Sequence, residues 1–335
     1  MNLMITKILP DLYKIEVPLP QNPLKYLNSY IFKTKKHNLI IDTGMNREEC
    51  LNSMYSGLRE LEVDLRETDF FLTHLHADHT GLVSTLKTDR SKIYCSQADA
   101  ETLVSSISSN QYWEKMRAGA CLHGFPENEA IEAIEKHPGY KYSSKGKLEF
   151  HLVNEGYTIA IGGYKFYCVA TPGHTKGHMC LYEPNKKLLV SGDHIISNIT
   201  PNISLWDDQE NVLEIYLKSL DKIFEFEIES VLPGHRDCFS NCKQRIQELR
   251  DHHRIRAHEV LKILEKGNLN AYQVASRMSW DISYKYWDLF PVSQKWFATG
   301  EAIAHLKYLE EKQLIKREMK KQQVVFAINK LINPS

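Results

Sequence analysis

The sequence predicts an α/β fold followed by a smaller helical domain. Short apolar segments with the character of strands recur through the first two thirds of the chain, and helix-like segments lie between them. Alternation of these two kinds of element is typical of layered α/β structure. The predicted strands are 29–32, 38–41, 69–73, 158–161, 165–170, 179–183, 187–191 and 230–232.

One long stretch interrupts this series of strands. From residue 98 onward the chain becomes helix-like, with Trp113, Met116 and Ile131 as apolar anchors. It ends in the polar segment 140–146. We therefore expect a helical insertion over about 98–146.

The pattern changes again after about residue 241, where helices replace strands. Asn270 can cap a short helix, and the segment 299–301 leads into a later one. Helices followed by a small hairpin suggest a winged helix, so we expect two domains, 1–240 and 241–335. The predicted C-terminal elements are helices over 245–264, 270–275 and 302–311 and a hairpin of 314–317 with 323–327.

Composition and charge exclude few classes of protein, but they favour a water-soluble one. The 335 residues contain 42 Lys and Arg against 42 Asp and Glu, so no overall field indicates nucleic acid or an acidic membrane as partner. The start lacks a basic segment followed by a long apolar run, and seven scattered cysteines fit a reducing compartment. We expect a cytoplasmic protein with no membrane partner.

The densest chemical signal is the segment 73–79, Thr-His-Leu-His-Ala-Asp-His, at the end of a predicted strand. Four side chains of metal-ligand type, His74, His76, Asp78 and His79, fall within six positions. Imidazole and carboxylate suit zinc and related divalent ions. A surface turn with solvated histidines is the simpler alternative, but the same residue types recur in similar settings.

Those settings are three turns that follow short apolar strands. They read Thr-Pro-Gly-His at 171–174, Ser-Gly-Asp-His at 191–194 and Leu-Pro-Gly-His at 232–235. Glycine beside each candidate ligand permits the tight backbone that aims a side chain into a shared cleft. Each turn alone is weak evidence; together with the first segment they supply enough ligands for two metals.

In these motifs the sequence resembles the metallo-β-lactamase superfamily, whose pattern is His-x-His-x-Asp-His followed by separate His, Asp and His positions. The resemblance covers roughly residues 5–240 and implies a four-layer αβ/βα sandwich. It also implies that Asp42, in an Asp-Thr-Gly turn, orients the ligands. The ligands it implies are His74, His76 and His174 for the first metal, Asp78, His79 and His235 for the second, and Asp193 as the bridge.

Two bound cations that share a water lower its pKa and neutralise a developing oxyanion, so no side-chain nucleophile is needed. The sequence accordingly lacks a Gly-x-Ser-x-Gly elbow. We expect Asp78 and Asp193 to be the catalytic carboxylates, with Asp78 orienting the attacking water. Zinc is the expected metal, with Mn²⁺ and Fe²⁺ as alternatives. His178 and His194 stay outside the predicted ligand set.

Within the superfamily, the bridging Asp193 disfavours antibiotic hydrolysis, since true β-lactamases generally lack this carboxylate. The sequence resembles hydroxyacylglutathione hydrolases and related enzymes, which implies a small acyl substrate such as a thioester, lactone or other ester. The C-terminal segment also resembles the tail of lactamase-like endoribonucleases, so cleavage of single-stranded RNA is an alternative. Its modest basic bias comes from Lys307, Lys312, Lys316, Arg317, Lys320 and Lys321.

A third hypothesis is of another class: a regulator whose winged helix binds nucleic acid while the α/β part senses a metal. The complete ligand pattern favours an enzyme over this regulator. The sequence leaves the oligomeric state open, a homodimer being one option.

Overall fold

The computed structural model describes residues 4–206 and 210–329, and these divide into two compact units. The units interleave along the chain, and the predicted insertion contributes to both. A division into domains at residue 240 therefore stays a prediction. The first unit comprises 4–108, 138–201 and 219–245, and the second comprises 109–137, 202–206, 210–218 and 246–329.

The described strands are β1 (Ile5–Leu9), β2 (Leu12–Pro18), β3 (Tyr26–Lys33), β4 (Asn38–Ile41), β5 (Thr68–Phe71), β6 (Ile93–Ser96), β7 (His151–Val153), β8 (Thr158–Ile161), β9 (Tyr164–Ala170), β10 (Met179–Glu183), β11 (Leu188–Gly192), β12 (Ser230–Pro233), β13 (Ile315–Lys320) and β14 (Gln323–Ile328). The described α-helices are α1 (Glu48–Glu60), α2 (Ala77–Thr80), α3 (Val83–Leu86), α4 (Gln97–Ser108), α5 (Asn110–Leu122), α6 (Glu127–Lys136), α7 (Pro138–Lys141), α8 (Val212–Phe224), α9 (Cys242–Leu264), α10 (Ala271–Ala275) and α11 (Val292–Glu311).

The first unit contains a seven-stranded sheet in the order β1 to β7. Strands β1 to β4 pair antiparallel, whereas β4 to β7 pair parallel. Strands β4 and β5 are short and buried along their whole length, as expected for parallel strands covered on both faces. Because they run parallel, the carboxyl ends of β4 and β5 lie at the same edge of the sheet.

A second sheet in the same unit has the order β12-β11-β10-β9-β8. Its strands pair antiparallel except for β11 and β12, which are parallel. Gly192 at the end of β11 and Pro233 at the end of β12 are therefore neighbours. Each sheet thus contributes a parallel pair of strands whose carboxyl ends lie together.

The two sheets pack face to face around one apolar core. Phe32 and Phe71 of the first sheet belong to the same buried cluster as Phe166 and Leu181 of the second. The rings of Phe32 and Phe166 meet edge to face with centroids 5.2 Å apart. Full burial of each such side chain stabilises the fold by roughly 1.5–3 kcal/mol. This core fixes the sheets relative to one another.

Helices cover the outer face of the first sheet. Met54 of α1 and Leu103 of α4 are buried in a second cluster with Ile15 and Ile31. Helix α1 lies close to the sheet because a side chain at Gly57 would place its Cβ 2.6 Å from Cδ1 of Ile15. The predicted α/β class with paired sheets is confirmed.

The second unit is helical and ends in a hairpin. Trp113, Phe125 and Ala133 form a buried cluster with Val292 and Trp296 of α11. Strands β13 and β14 pair antiparallel along their whole length, which confirms the predicted terminal hairpin. The winged-helix assignment stays a prediction.

The predicted start of the last long helix is wrong. Helix α11 begins at Val292 after Pro291, so the segment 299–301 lies inside the helix and does not lead into it. The glycine in this segment has a packing reason. A Cβ at Gly300 would lie 2.9 Å from Cβ of Ser204 and 3.0 Å from Cζ2 of Trp206. Close packing of another segment therefore explains Gly300.

In 4–206 and 210–329, no helix is both long and apolar enough to span a membrane.

Two histidines of α9 and α11 form a buried pair in the second unit. Nδ1 of His305 lies 2.9 Å from the carbonyl oxygen of Glu301, to which it must donate. Nε2 of the neutral His305 ring therefore accepts from Nδ1 of His253, 3.3 Å away. Burial lowers the pKa of His305 to about 3 and places that of His253 well below its usual range, and nearby Arg256 adds to both shifts.

This pair predicts a loss of stability in acid. Because the unfolded chain binds protons near pH 6.5 and the folded pair does not, the free energy of unfolding should fall as the pH drops below about 6.5. His305→Gln, a neutral replacement, should reduce that slope by up to ~1.4 kcal/mol per pH unit. Urea unfolding between pH 7 and pH 4 measures it, with the exposed His258→Gln on α9 as control. An unchanged slope in His305→Gln would contradict the assignment.

Candidate metal centre

The segment 73–79 changes backbone direction directly after β5. Leu72 still hydrogen-bonds to β6, but the chain then turns and enters the one-turn helix α2. His76 precedes α2 with an extended backbone, whereas Asp78 and His79 lie inside it. The change from extended to helical backbone lets neighbouring side chains point in different directions.

The three glycine-containing turns end at the same edge of the second sheet. His174 lies between β9 and β10, Asp193 follows β11 and His235 follows β12. Glycine is required at Gly234, where a Cβ would lie 2.5 Å from Oδ1 of Asp193 and 2.7 Å from Cε1 of His79. Residue 234 must therefore lack a side chain for Asp193 and His79 to approach each other.

Three histidines form a first group. Nδ1 of His76 lies 3.0 Å from Nε2 of His74 and 3.0 Å from Nε2 of His174. His74 is fully buried, while His76 and His174 are partly exposed. Three imidazole nitrogens that converge in this way are a common donor set for zinc.

A second group lies beside the first. Oδ2 of Asp78 is 3.9 Å from Nε2 of His79 and 3.3 Å from Nε2 of His235. His79 and His235 have no exposed surface. One carboxylate and two imidazoles again converge on one point.

Asp193 faces both groups. Its Oδ2 lies 3.7 Å from Nε2 of His174 and 3.4 Å from Nε2 of His235, and its Oδ1 lies 3.5 Å from Nε2 of His79. The structure thus brings all seven predicted ligand side chains together. Their roles as ligands, and that of Asp193 as a bridge, stay predictions.

The protonation states fit a cation site. Burial lowers the pKa of His76 to about 3, so its ring is neutral and offers a lone pair. Burial also disfavours the charged form of His235, yet the carboxylates of Asp193 and Asp78 raise its pKa to about 10. The second group therefore attracts positive charge, which a proton or a metal ion can supply.

Several buried atoms in the centre also lack hydrogen bonds. Nε2 of His79, Nε2 of His235 and Oδ1 of Asp193 make none within the described residues. A buried polar atom without a partner is costly, and each of these three points into the cluster. A nitrogen and oxygen donor set with open lone pairs fits divalent metal ions.

Asp42 supports the cluster from the end of β4, as the sequence predicted for a residue that orients ligands. Its Oδ1 accepts from the backbone N–H of Thr73 at 2.9 Å, and its Oδ2 lies 2.7 Å from Nδ1 of His79. With Nδ1 donating to Asp42, Nε2 of His79 is the lone-pair nitrogen that faces the cluster.

His178 and His194 lie behind the cluster. Nε2 of His178 accepts from the backbone N–H of Asp193 at 3.2 Å, and its Nδ1 lies 2.8 Å from Oγ1 of Thr171. The His194 ring is buried, 5.9 Å from that of His178. His178 thus holds the backbone of a predicted ligand.

Sequence reasoning overlooked two supports. Nδ1 of His235 lies 2.8 Å from the carbonyl oxygen of Tyr26, a backbone contact that no side-chain motif reveals. Asp99 is a buried carboxylate in the first turn of α4, where an acidic residue is ordinarily explained by the helix dipole. Its complete burial is the signal, and it is visible only in the structure.

Comparison with known proteins gives two family matches. Residues 24–235 match the family model described as the metallo-beta-lactamase superfamily. Residues 288–328 match a model described as the C-terminal domain of metallo-beta-lactamase-like proteins.

Related sequences carry hydrolase names. The chain is 24% identical over 320 residues to "Probable metallo-hydrolase YqjP" of Bacillus subtilis, a match that covers 91% of this chain and 94% of that protein. It is 26% identical over 268 residues to "Atrochrysone carboxyl ACP thioesterase" of Aspergillus fumigatus, covering 77% and 69% of the two chains.

Solved structures share the fold. A metallo-beta-lactamase family protein from Thermus thermophilus matches with a TM-score of 0.80 at 23% identity, over 96% of this chain and 99% of the other. A beta-lactamase domain protein from Burkholderia ambifaria matches with a TM-score of 0.77 at 21% identity, over 96% and 94%. The family match covers more than half of the chain, so this protein belongs to the metallo-β-lactamase superfamily and is a metallo-hydrolase.

Proposed function

We propose that the seven converging side chains hold two divalent cations and that the protein hydrolyses a small acyl thioester. The observation that carries this proposal is the carboxylate of Asp193, which faces both groups of donors at 3.4–3.7 Å. Zinc is the metal we assign. The first ion would lie among His74, His76 and His174, and the second among Asp78, His79 and His235.

When bound, two such ions supply a water of lowered pKa and positive charge for a developing oxyanion. The carboxylate of Asp78, 3.3 Å from Nε2 of His235, would orient the attacking water. Asp193 keeps the two groups of donors at a fixed separation. His76 and His174 are the partly exposed members, so substrate reaches the centre from their side.

A thioester suits this donor set better than an ester does. Its leaving group is a thiolate whose conjugate thiol has a pKa near 8.5, so it departs with little help from a proton donor. An alkoxide from an ester or lactone needs a proton, which the acceptor carboxylates of Asp78 and Asp193 do not bring in their ionised form. The relative named as an ACP thioesterase supports the same choice. Lactones and other esters are the next candidates.

Single-stranded RNA ranks lower because much of the basic bias in the C-terminal segment is already paired. Four of its six cations lie within ion-pair distance of carboxylates in the same unit, which reduces the charge free to contact phosphates. The pairs are Lys307 with Glu311, Lys312 with Glu214, Lys316 with Glu318, and Arg317 with Glu310. RNA cleavage becomes an outcome of the functional test.

The two-metal assignment predicts a stoichiometry. Purified protein freed of metal by a chelator should bind about two equivalents of zinc, and His76→Ala should bind about one, because only the first group loses a donor. Competition with a chromogenic chelator and elemental analysis of the reloaded protein both measure this number. The exposed His258→Ala is the matched control. Wild-type protein that binds one ion or none would contradict the assignment.

The substrate assignment predicts thiol release from acyl-coenzyme A thioesters by zinc-loaded protein, followed with a chromogenic disulfide. Asp193→Asn should lower kcat/KM by more than about 100-fold, since losing even a support of a ligand costs 10–100-fold. Matched lactones and a fluorescent single-stranded RNA are tested in parallel. Full turnover in Asp193→Asn would refute the bridging role; RNA cleavage without thioester hydrolysis would refute the substrate class.

A further inference from the structure

Asp99 is a buried carboxylate that the proposed chemistry does not use. It lies in the first turn of α4 and has no exposed surface. Burying an ionised carboxylate is costly unless donors surround it. The position of those donors therefore indicates what the side chain stabilises.

In the described residues, the Asp99 carboxylate accepts hydrogen bonds only from the two loops that carry His76 and His174. Oδ2 accepts from the backbone N–H of Leu75 at 3.0 Å and from Oγ1 of Thr175 at 2.6 Å. Oδ1 accepts from the backbone N–H of Gly177 at 2.8 Å. Leu75 lies between His74 and His76, and Thr175 directly follows His174.

The contact is tight enough to restrict the sequence. A Cβ at Gly177 would lie 2.6 Å from the backbone nitrogen and 2.8 Å from Oδ1 of Asp99, a separation that real Cβ atoms do not adopt. The loop after His174 therefore approaches α4 only because residue 177 is glycine. One carboxylate joins this loop to the segment after β5.

The second group of donors is held by other atoms. His79 is fixed by Asp42, and His235 by the carbonyl oxygen of Tyr26. Asp42 also accepts from Thr73, beside His74, and so contacts both groups. In the described residues, the Asp99 carboxylate accepts from no residue next to His79 or His235. A change at Asp99 should affect one group and spare the other.

We propose that Asp99 is a positioning residue that sets the metal affinity of the group formed by His74, His76 and His174. This inference rests on the proposed two-metal function. Asp99 contacts the backbone next to His76 and His174 and not their rings. By fixing this backbone it keeps Nε2 of His74 and Nε2 of His174 each 3.0 Å from Nδ1 of His76. An Asn side chain at this position would direct its NH2 group toward the N–H and O–H groups that now donate to Asp99. One of the two loops would then lose its hydrogen bond.

The experiment measures zinc affinity by chelator competition in two backgrounds, each keeping one group. In His235→Ala, which keeps the first group, adding Asp99→Asn should weaken zinc binding about 10–100-fold. In His76→Ala, which keeps the second group, adding Asp99→Asn should leave the affinity unchanged. A merely structural role would weaken both or neither.

Two further variants keep the test decisive. Thr175→Val removes one donor to Asp99 at nearly constant volume, so it should show the same selectivity with a smaller loss, even if Asp99→Asn does not fold. Asp69→Asn is the control: this buried carboxylate at the start of β5 accepts from the backbone N–H of Lys92 at 2.7 Å, away from the cluster. It should not alter zinc affinity.

Equal losses in both backgrounds, or wild-type affinity in Asp99→Asn and Thr175→Val, would overturn the inference. If the wild-type protein binds two zinc ions and these variants bind zinc with wild-type affinity, only the role of Asp99 is refuted. Wild-type protein that binds no zinc would refute the proposed function itself.

Discussion

The arrangement of this protein depends on keeping several ionisable side chains buried within a few ångströms of one another. Such a cluster is unfavourable unless opposite charges and hydrogen bonds compensate for the loss of water. Here Asp78 and Asp193 lie 3.3–3.9 Å from the nitrogens of His79 and His235. The apolar core between the sheets supplies the free energy that holds these groups together.

Backbone hydrogen bonds give the cluster its precision. Asp42 and Asp99 each accept from backbone N–H groups of the segment after β5, while His178 accepts from that of Asp193. Each support acts on a loop adjoining a candidate ligand, and the supports come from different elements: the end of β4, the start of α4 and the residue before β10. Ligand loops that leave rigid strands are thereby fixed at a second point. Loss of such an outer contact typically costs about 10–100-fold in metal affinity.

Sequence alone predicted eight of the twelve described strands in the two large sheets, and the turns of the candidate site, because both follow from local patterns; it missed β1, β2, β6 and β7. Apolar runs that end at glycine beside His174, Asp193 or His235 identify strand ends, and the structure brings those ends together. The sequence could not predict the role of Asp99, because that role depends on contacts with residues far along the chain. The start of α11 was predicted wrongly for the same reason. Gly300 lies inside a continuous helix, where it allows close packing of a segment far along the chain.

The central claim is that two cations occupy the two groups of donors, and anomalous X-ray diffraction at the zinc edge from crystals of zinc-loaded protein tests it most directly. The account predicts two peaks about 3.5–4 Å apart. One should lie among His74, His76 and His174, and the other among Asp78, His79 and His235, with the carboxylate of Asp193 between them. A single peak, or none at these side chains, would contradict it.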